Sequence, residues 1–261
     1  MDWTISYGNA IWVSMFVYMI CMTAVIYLLL RRQPQEKKRK VLLGVAVFLM
    51  AMFYVQRFFM LTDPRFLEMY GSGWDTKIVN LLPLHLCYVS LVLLIAGLAL
   101  RKEFLLTFCF YISPVGATMA LLLPDVYALD VSVLEPAILM FYLSHGAIAA
   151  IYWNMGFLGF ARIGWKGAMS SVGIGCILYA VMFVVNVIGQ SCGIDSMNYF
   201  YSYKTDGNAA LEMFWSLLPV PGLYLALPSM AIAAVWTSFV TLCAKLISFF
   251  RTEQEEFIRE R

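Results

Sequence analysis

The chain predicts an all-α, polytopic membrane protein of seven transmembrane helices, and three observations carry that prediction. Of its 261 residues 62% are apolar and only 13% are charged, about half the charge of a soluble domain. Mean hydropathy is +0.79. The apolar residues gather in runs of about 20, the length that crosses roughly 30 Å of hydrocarbon at about 1.5 Å of helical rise per residue.

Taken in order, the first span covers 9–30. It follows Met1-Asp2-Trp3, an acid with no basic n-region, and so reads as a retained span rather than a cleaved signal. The basic break Arg31 to Lys40 precedes a second span at 41–61, and the break Thr62 to Lys77 precedes a third at 78–100. Arg101-Lys102-Glu103 separates that from a fourth at 104–123. Pro124 to Glu135 leads to a fifth at 136–157, Gly159 to Gly167 to a sixth at 169–190, and the longest break, Ser191 to Pro221, to a seventh at 222–249. No period repeats and no shift in composition marks a boundary, so 1–261 reads as a single transmembrane domain.

Charge is one-sided in this layout. Arg31, Arg32, Lys37, Lys38, Arg39, Lys40, Arg101, Lys102, Arg162, Lys166, Arg251, Arg259 and Arg261 fall on one side. The other side holds Arg65, Lys77 and Lys204 with most of the acids, among them Asp63, Asp75, Asp125, Asp130, Glu135, Asp195, Asp206 and Glu212. Basic residues stay cytoplasmic during insertion, which predicts an external amino terminus and a cytoplasmic carboxyl terminus. Topology and attraction to anionic lipid account for the basic loops, so no nucleic-acid partner is expected. Of the six cysteines, Cys21, Cys87, Cys109, Cys176 and Cys243 lie within spans and only Cys192 reaches an outer loop, which speaks against a disulfide framework.

The chain has two histidines, His85 and His145, and both fall in stretches apolar enough to cross a bilayer. An ionisable group in hydrocarbon is costly and, where it persists, faces a bundle interior with a partner or a task. Spans three and five enter from the same side, so Cys87 and His145 each lie about nine residues in, roughly 13 Å along a helix, and share a layer. Asn80 is two turns before Cys87 and shares its face, while Arg57 and the stripe Tyr179, Asn186, Gln190 fall in the outer half. A polar chamber open toward the outer leaflet is expected. His85 and Cys87, two residues apart, point about 200° from each other on a regular helix. Pro83, which frees the carbonyl of Val79, can distort that helix.

A thiol becomes a nucleophile when a nearby imidazole accepts its proton, which makes Cys87 and His145 the candidate catalytic pair for acyl transfer. Asn80 or Asn186 can stabilise an oxyanion, and the guanidinium of Arg57 matches a phosphate. Each residue also has a plainer role: interhelical hydrogen bonding for the histidines and amides, packing for the thiol, and reach to the headgroups for Arg57.

Leu82-Pro83-Leu84-His85-Leu86-Cys87, His145, and Asn198-Tyr199-Phe200-Tyr201 through Lys204 resemble the YwaF-like integral membrane proteins of bacteria. That family is similar to the eukaryotic membrane acyltransferases that remodel ether phospholipids, and more distantly to multispan lipid hydrolases with a Thr–His pair. The resemblance implies Cys87 as the acyl-accepting nucleophile and His145 as its base, in a bacterial plasma membrane, with phospholipid and lysophospholipid as partners and no cofactor or metal. Asn198 and Tyr199 match the family's Asn-Tyr motif; Lys204-Thr205 stands where Lys-Pro is usual, and Glu212 takes the later acidic position. Two other classes remain open. A transporter or lipid-binding protein would use the chamber as half of a path, though no inverted repeat is visible. A metal-dependent lipid hydrolase would use His85 and His145 as ligands and would need at least a third.

Overall fold

The computed structural model describes residues 3–124 and 126–259, with only the backbone described from 247 onward. Asp2, Asp125 and Arg261, which entered the charge reading, lie outside the described residues. Two strands, β1 (Thr4–Ile5) and β2 (Val131–Ser132), pair antiparallel. The helices are α1 (Ala10–Leu30), α2 (Gln35–Thr62), α3 (Pro64–Tyr70), α4 (Trp74–Leu81), α5 (Leu86–Leu100), α6 (Glu103–Tyr111), α7 (Ser113–Leu122), α8 (Pro136–Phe157), α9 (Trp165–Ser191), α10 (Ala209–Leu217) and α11 (Leu223–Arg259). Local chemistry sets several boundaries. Asn9 caps α1 by accepting from the Trp12 amide at 2.8 Å, and Asp63 caps α3 ahead of Pro64 by accepting from the Arg65 amide at 2.9 Å.

Among the described residues six helical segments are long and apolar enough to cross a membrane, with α6 and α7 forming one of them. The pair α4 and α5, bent by 43°, makes a seventh where the pair is one span. The span expected at 78–100 is therefore a broken helix rather than a continuous one. The second begins at Gln35, six residues before the expected 41, because Glu36 pairs with Arg39 and Arg101 and the basic run continues as helix. The sixth begins at Trp165 and the last at Leu223.

Helix α8 is the axis of the bundle, packed against α1, α2, α6 and α7. Its stretch from Ser144 to Tyr152 is buried throughout and rich in small residues, which let neighbouring backbones approach in hydrocarbon. Gly156 shows how close: a Cβ there would collide with the ring of Phe110 on α6. Gly156→Val will lower stability by roughly 1–3 kcal/mol through overpacking, read as a lower melting temperature of the detergent-solubilised protein. An unchanged melt would mean the two helices can part at no cost.

The helix ends sort into two groups. Glu36 pairs with Arg101 at 2.9 Å, Arg39 donates to the Leu98 carbonyl at 2.9 Å and Gln35 to that of Leu158, joining the basic turn to the ends of α5 and α8. At the opposite end β1 joins β2 ahead of α8, and a polar cluster ties α2, α3 and α8 together. There Arg65 binds Asp63 at 3.0 Å and also Glu135, and the Tyr127 hydroxyl donates to Asp63 at 2.6 Å. Burial opposes ionisation of Asp63, but the hydrogen bonds from Arg65 and Tyr127 win and hold its carboxyl below the usual value. A depressed folded-state value stabilises the fold above the ordinary carboxylate range and is lost as pH falls through it. Asp63→Asn will therefore abolish this part of the acid sensitivity, about 1 kcal/mol at most, seen as a smaller difference in melting temperature between neutral and acid pH.

Candidate functional site

The site begins at a break in the chain. Pro83 has no amide proton to offer the carbonyl of Val79, and a bare carbonyl in hydrocarbon is expensive. The Tyr199 hydroxyl donates to that carbonyl at 3.0 Å. After Leu82 to His85 the chain restarts as α5, with His85 as its extended N-cap residue (φ −71°, ψ 150°) supplying no side-chain cap. The geometric objection to His85 and Cys87 facing one space is thereby removed, because His85 is outside the helix. The two-turn register from Asn80 to Cys87 is broken for the same reason.

Both residues line one cavity of about 1060 Å³ that runs between α2, α4, α5, α7, α9 and α11. Of the residues singled out in the sequence, Arg57, Asn80, His85, Cys87, His145 and Asn198 line it; Asn186 and Tyr199 stand behind its wall. Cys87 is in the first turn of α5 and His145 is midway along α8, and each is less than one-tenth exposed. The His145 Nδ1 lies 2.8 Å from the Phe141 carbonyl. Since a carbonyl only accepts, that nitrogen carries the proton and a neutral ring keeps its Nε2 lone pair. Tyr88, the residue after Cys87, sets its ring edge-on to the imidazole at 5.6 Å, and Phe141 lies against it at 4.3 Å.

Arg57 is buried. Its guanidinium sits 5.1 Å over the Phe53 ring and donates to the side-chain Oδ1 of Asn80 at 3.4 Å. Asn80 donates one amide hydrogen to the Thr76 carbonyl at 2.9 Å, so it ties Arg57 to the end of α4. It also lines the cavity.

Asn186 is tied into the scaffold. It donates to the Tyr199 carbonyl and the Ser202 hydroxyl and accepts from the Tyr199 amide, all at 2.8 Å, which spends its whole amide on the segment 198–206. Asn198 donates to the Lys204 carbonyl at 2.7 Å and to Asp206 at 2.6 Å, and accepts from the amides of Tyr203 and Lys204. The strap so formed holds Phe200, Tyr201 and Asp206 at φ of 58°, 51° and 49°, left-handed conformations that non-glycine residues keep only when their surroundings impose them. It brings the rings of Tyr199 and Tyr201 to 5.5 and 6.0 Å from His85. Lys204 lines the cavity mouth, its ammonium 2.7 Å from the Asp195 carbonyl and 3.5 Å from Asp206; Glu212 accepts from Thr205 at the strap's end.

Sequence reasoning passed over Gln56, Tyr88 and Tyr152. The Tyr88 hydroxyl donates to Gln56 at 3.1 Å and that of Tyr152 to the Cys87 carbonyl at 2.8 Å, fixing the first turn of α5 from two sides. A glutamine inside an apolar span carried the same signal as the histidines; tyrosines in a span carried none. Among the described residues no three His, Cys, Asp or Glu side chains gather as a set able to hold a metal ion.

A helical bundle with apolar membrane-length helices, folded around a mainly apolar cavity at a broken helix, is an integral membrane protein whose buried polar groups converge on one place. Its family follows from the whole length of the chain: the profile of the TMEM164 family matches residues 5–246, and the protein belongs to that family. No curated protein and no solved structure matches the chain.

Proposed function

We propose that the protein transfers an acyl chain from a phospholipid through a covalent thioester on Cys87, with His145 as the base. The observation that carries this reading is the placement of a thiol and of a histidine with an unprotonated Nε2 on the wall of one secluded cavity. His145 takes the Cys87 proton, and the thiolate attacks an ester carbonyl. The tetrahedral intermediate collapses as the imidazolium returns the proton to the leaving alkoxide, which releases lysophospholipid. The hydroxyl of an acceptor lysolipid then gives its proton to His145 and attacks the thioester; the carbon–sulfur bond breaks, and the Cys87 thiolate leaves and takes the proton back from the imidazolium. Water in place of the hydroxyl makes the reaction a hydrolysis.

The first amides of α5 suit both charges of this cycle. Those of Leu86 and Cys87 precede the first bonds of the helix, which run from Tyr88 and Val89 to the His85 carbonyl; the helix dipole favours negative charge there, and the His85 side chain does not cap them. They join Asn80 as candidate donors to the oxyanion. Arg57 and Lys204 supply positive charge for the phosphate between Cys87 and the cavity mouth. With the basic turn on the cytoplasmic side, the site faces the extracytoplasmic leaflet.

The test is chemical. Purified protein mixed with phosphatidylcholine will carry an acyl group on the Cys87 peptide that hydroxylamine removes. A protein that holds lipid but never gains that adduct is a lipid-binding or transport protein instead.

A further inference from the structure

The two ends of the cavity differ in chemistry. The mouth carries Asp75, Asp195, Lys204 and Asp206, whereas the residues that α7, α9 and α11 contribute carry no charge. The deeper arm reaches Val172, which lies seven residues nearer the start of α9 than Tyr179, about 10 Å at the helical rise.

This arm meets the bilayer sideways. Met119 on α7, Leu123 just beyond its end, and Met230 and Ile232 on α11 line the cavity yet stay 40 to 47% exposed. Helix α7 packs on α5, α6 and α8, while α11 packs on α9 and α10 and is pinned to the end of α6 by Trp236, which donates to the Tyr111 carbonyl at 2.9 Å; at the level of Met119 and Met230, where both helices line the cavity and remain exposed, they flank a slot. In a membrane that slot faces hydrocarbon chains.

One position in the arm is left open. Gly175 lines the cavity in the interior of α9, and a Cβ there would meet nothing nearer than the Phe108 ring at 4.0 Å. Glycine costs a helix about 1 kcal/mol relative to alanine, and here no close approach of a neighbour accounts for it. Gly116, across the arm, differs: its Cβ would press on Leu86 at 2.9 Å. Gly173, on the same helix, has open space around it and does not line the cavity.

We propose that the α7–α9–α11 arm is a channel that receives a single acyl chain from the bilayer through the slot between α7 and α11, and that Gly175 sets how much chain it accepts. The proposal gives the substrate class to the site read above as an acyl-transfer centre. Chain binding itself needs no chemistry at Cys87.

The experiment uses full-length protein carrying Cys87→Ala and a phosphatidylcholine with a photoreactive diazirine at the end of one long chain. Cross-links are expected on the segments 172–180 and 229–233. Gly175→Phe will reduce them by about tenfold, the effect of excluding a few methylenes from an apolar site. Gly173→Phe will leave them unchanged, and an octanoyl version of the probe will still label the Gly175→Phe protein. Gly175→Leu carries the same expectation should the phenylalanine variant fail to fold. Cross-links that survive both Gly175 substitutions, or fall equally with Gly173→Phe, overturn the channel. A missing thioester on Cys87 in the unmodified protein removes acyl transfer and leaves the channel standing, so the two failures are distinct.

Discussion

Cys87→Ala will reduce the release of lysophospholipid by about 10⁴-fold, to the level left by binding and oxyanion stabilisation alone, and His145→Ala will cost nearly as much. The double variant will be no worse than either single one, because a nucleophile and its base act as a unit. Cys87→Ala will not disturb folding severely. The Cys87 side chain has no role in the hydrogen bonds that fix its turn, which run from Tyr152 to the Cys87 carbonyl and from Tyr88 to Gln56. Mass spectrometry of lysolipid release, with melting curves recorded alongside, separates loss of chemistry from loss of structure. Wild-type rates in the alanine variant would eliminate the thioester route.

Asn186→Leu will have the largest effect on stability. Its side chain is completely buried and makes three hydrogen bonds of 2.8 Å to the strap. Leucine has the same branching and number of side-chain heavy atoms but is bulkier and has no polar atom, so the Tyr199 amide loses its partner inside the protein; with the weakened carbonyl and hydroxyl this costs roughly 2–4 kcal/mol. The consequence reaches the site through Tyr199, whose hydroxyl holds the carbonyl freed by Pro83. A loosened strap will fall in melting temperature and gain protease cleavage between 198 and 206, and the thioester on Cys87 will form more slowly. An unchanged melting temperature would show that the strap is held elsewhere.

The sequence disclosed the fold class because hydrocarbon imposes a strict rule: a segment crossing it must be apolar, about 20 residues long and internally hydrogen-bonded. The two histidines were legible as exceptions to that rule. So was Gln56, though it went unused. Pro83 announced a freed carbonyl at Val79, but the hydroxyl that answers it comes from Tyr199, 120 residues away. Asn186 was misread for a similar reason: an amide in a span looks the same whether it aims at a substrate or at a turn of backbone. The cluster of Asp63, Arg65, Tyr127 and Glu135 draws on three separate elements and left no pattern along the chain.

By itself the sequence determined that this chain lives in a membrane, roughly where its helices run, and which ionisable side chains are too expensive to be idle there. Only the tertiary structure decided that the third span breaks, that His85 leaves the helix so that it and Cys87 line the same space, and that two asparagines serve the scaffold. The physical reason is range. Transfer free energy is a property of each segment and can be read locally, whereas a hydrogen bond or a cavity wall exists only between segments that folding has brought together.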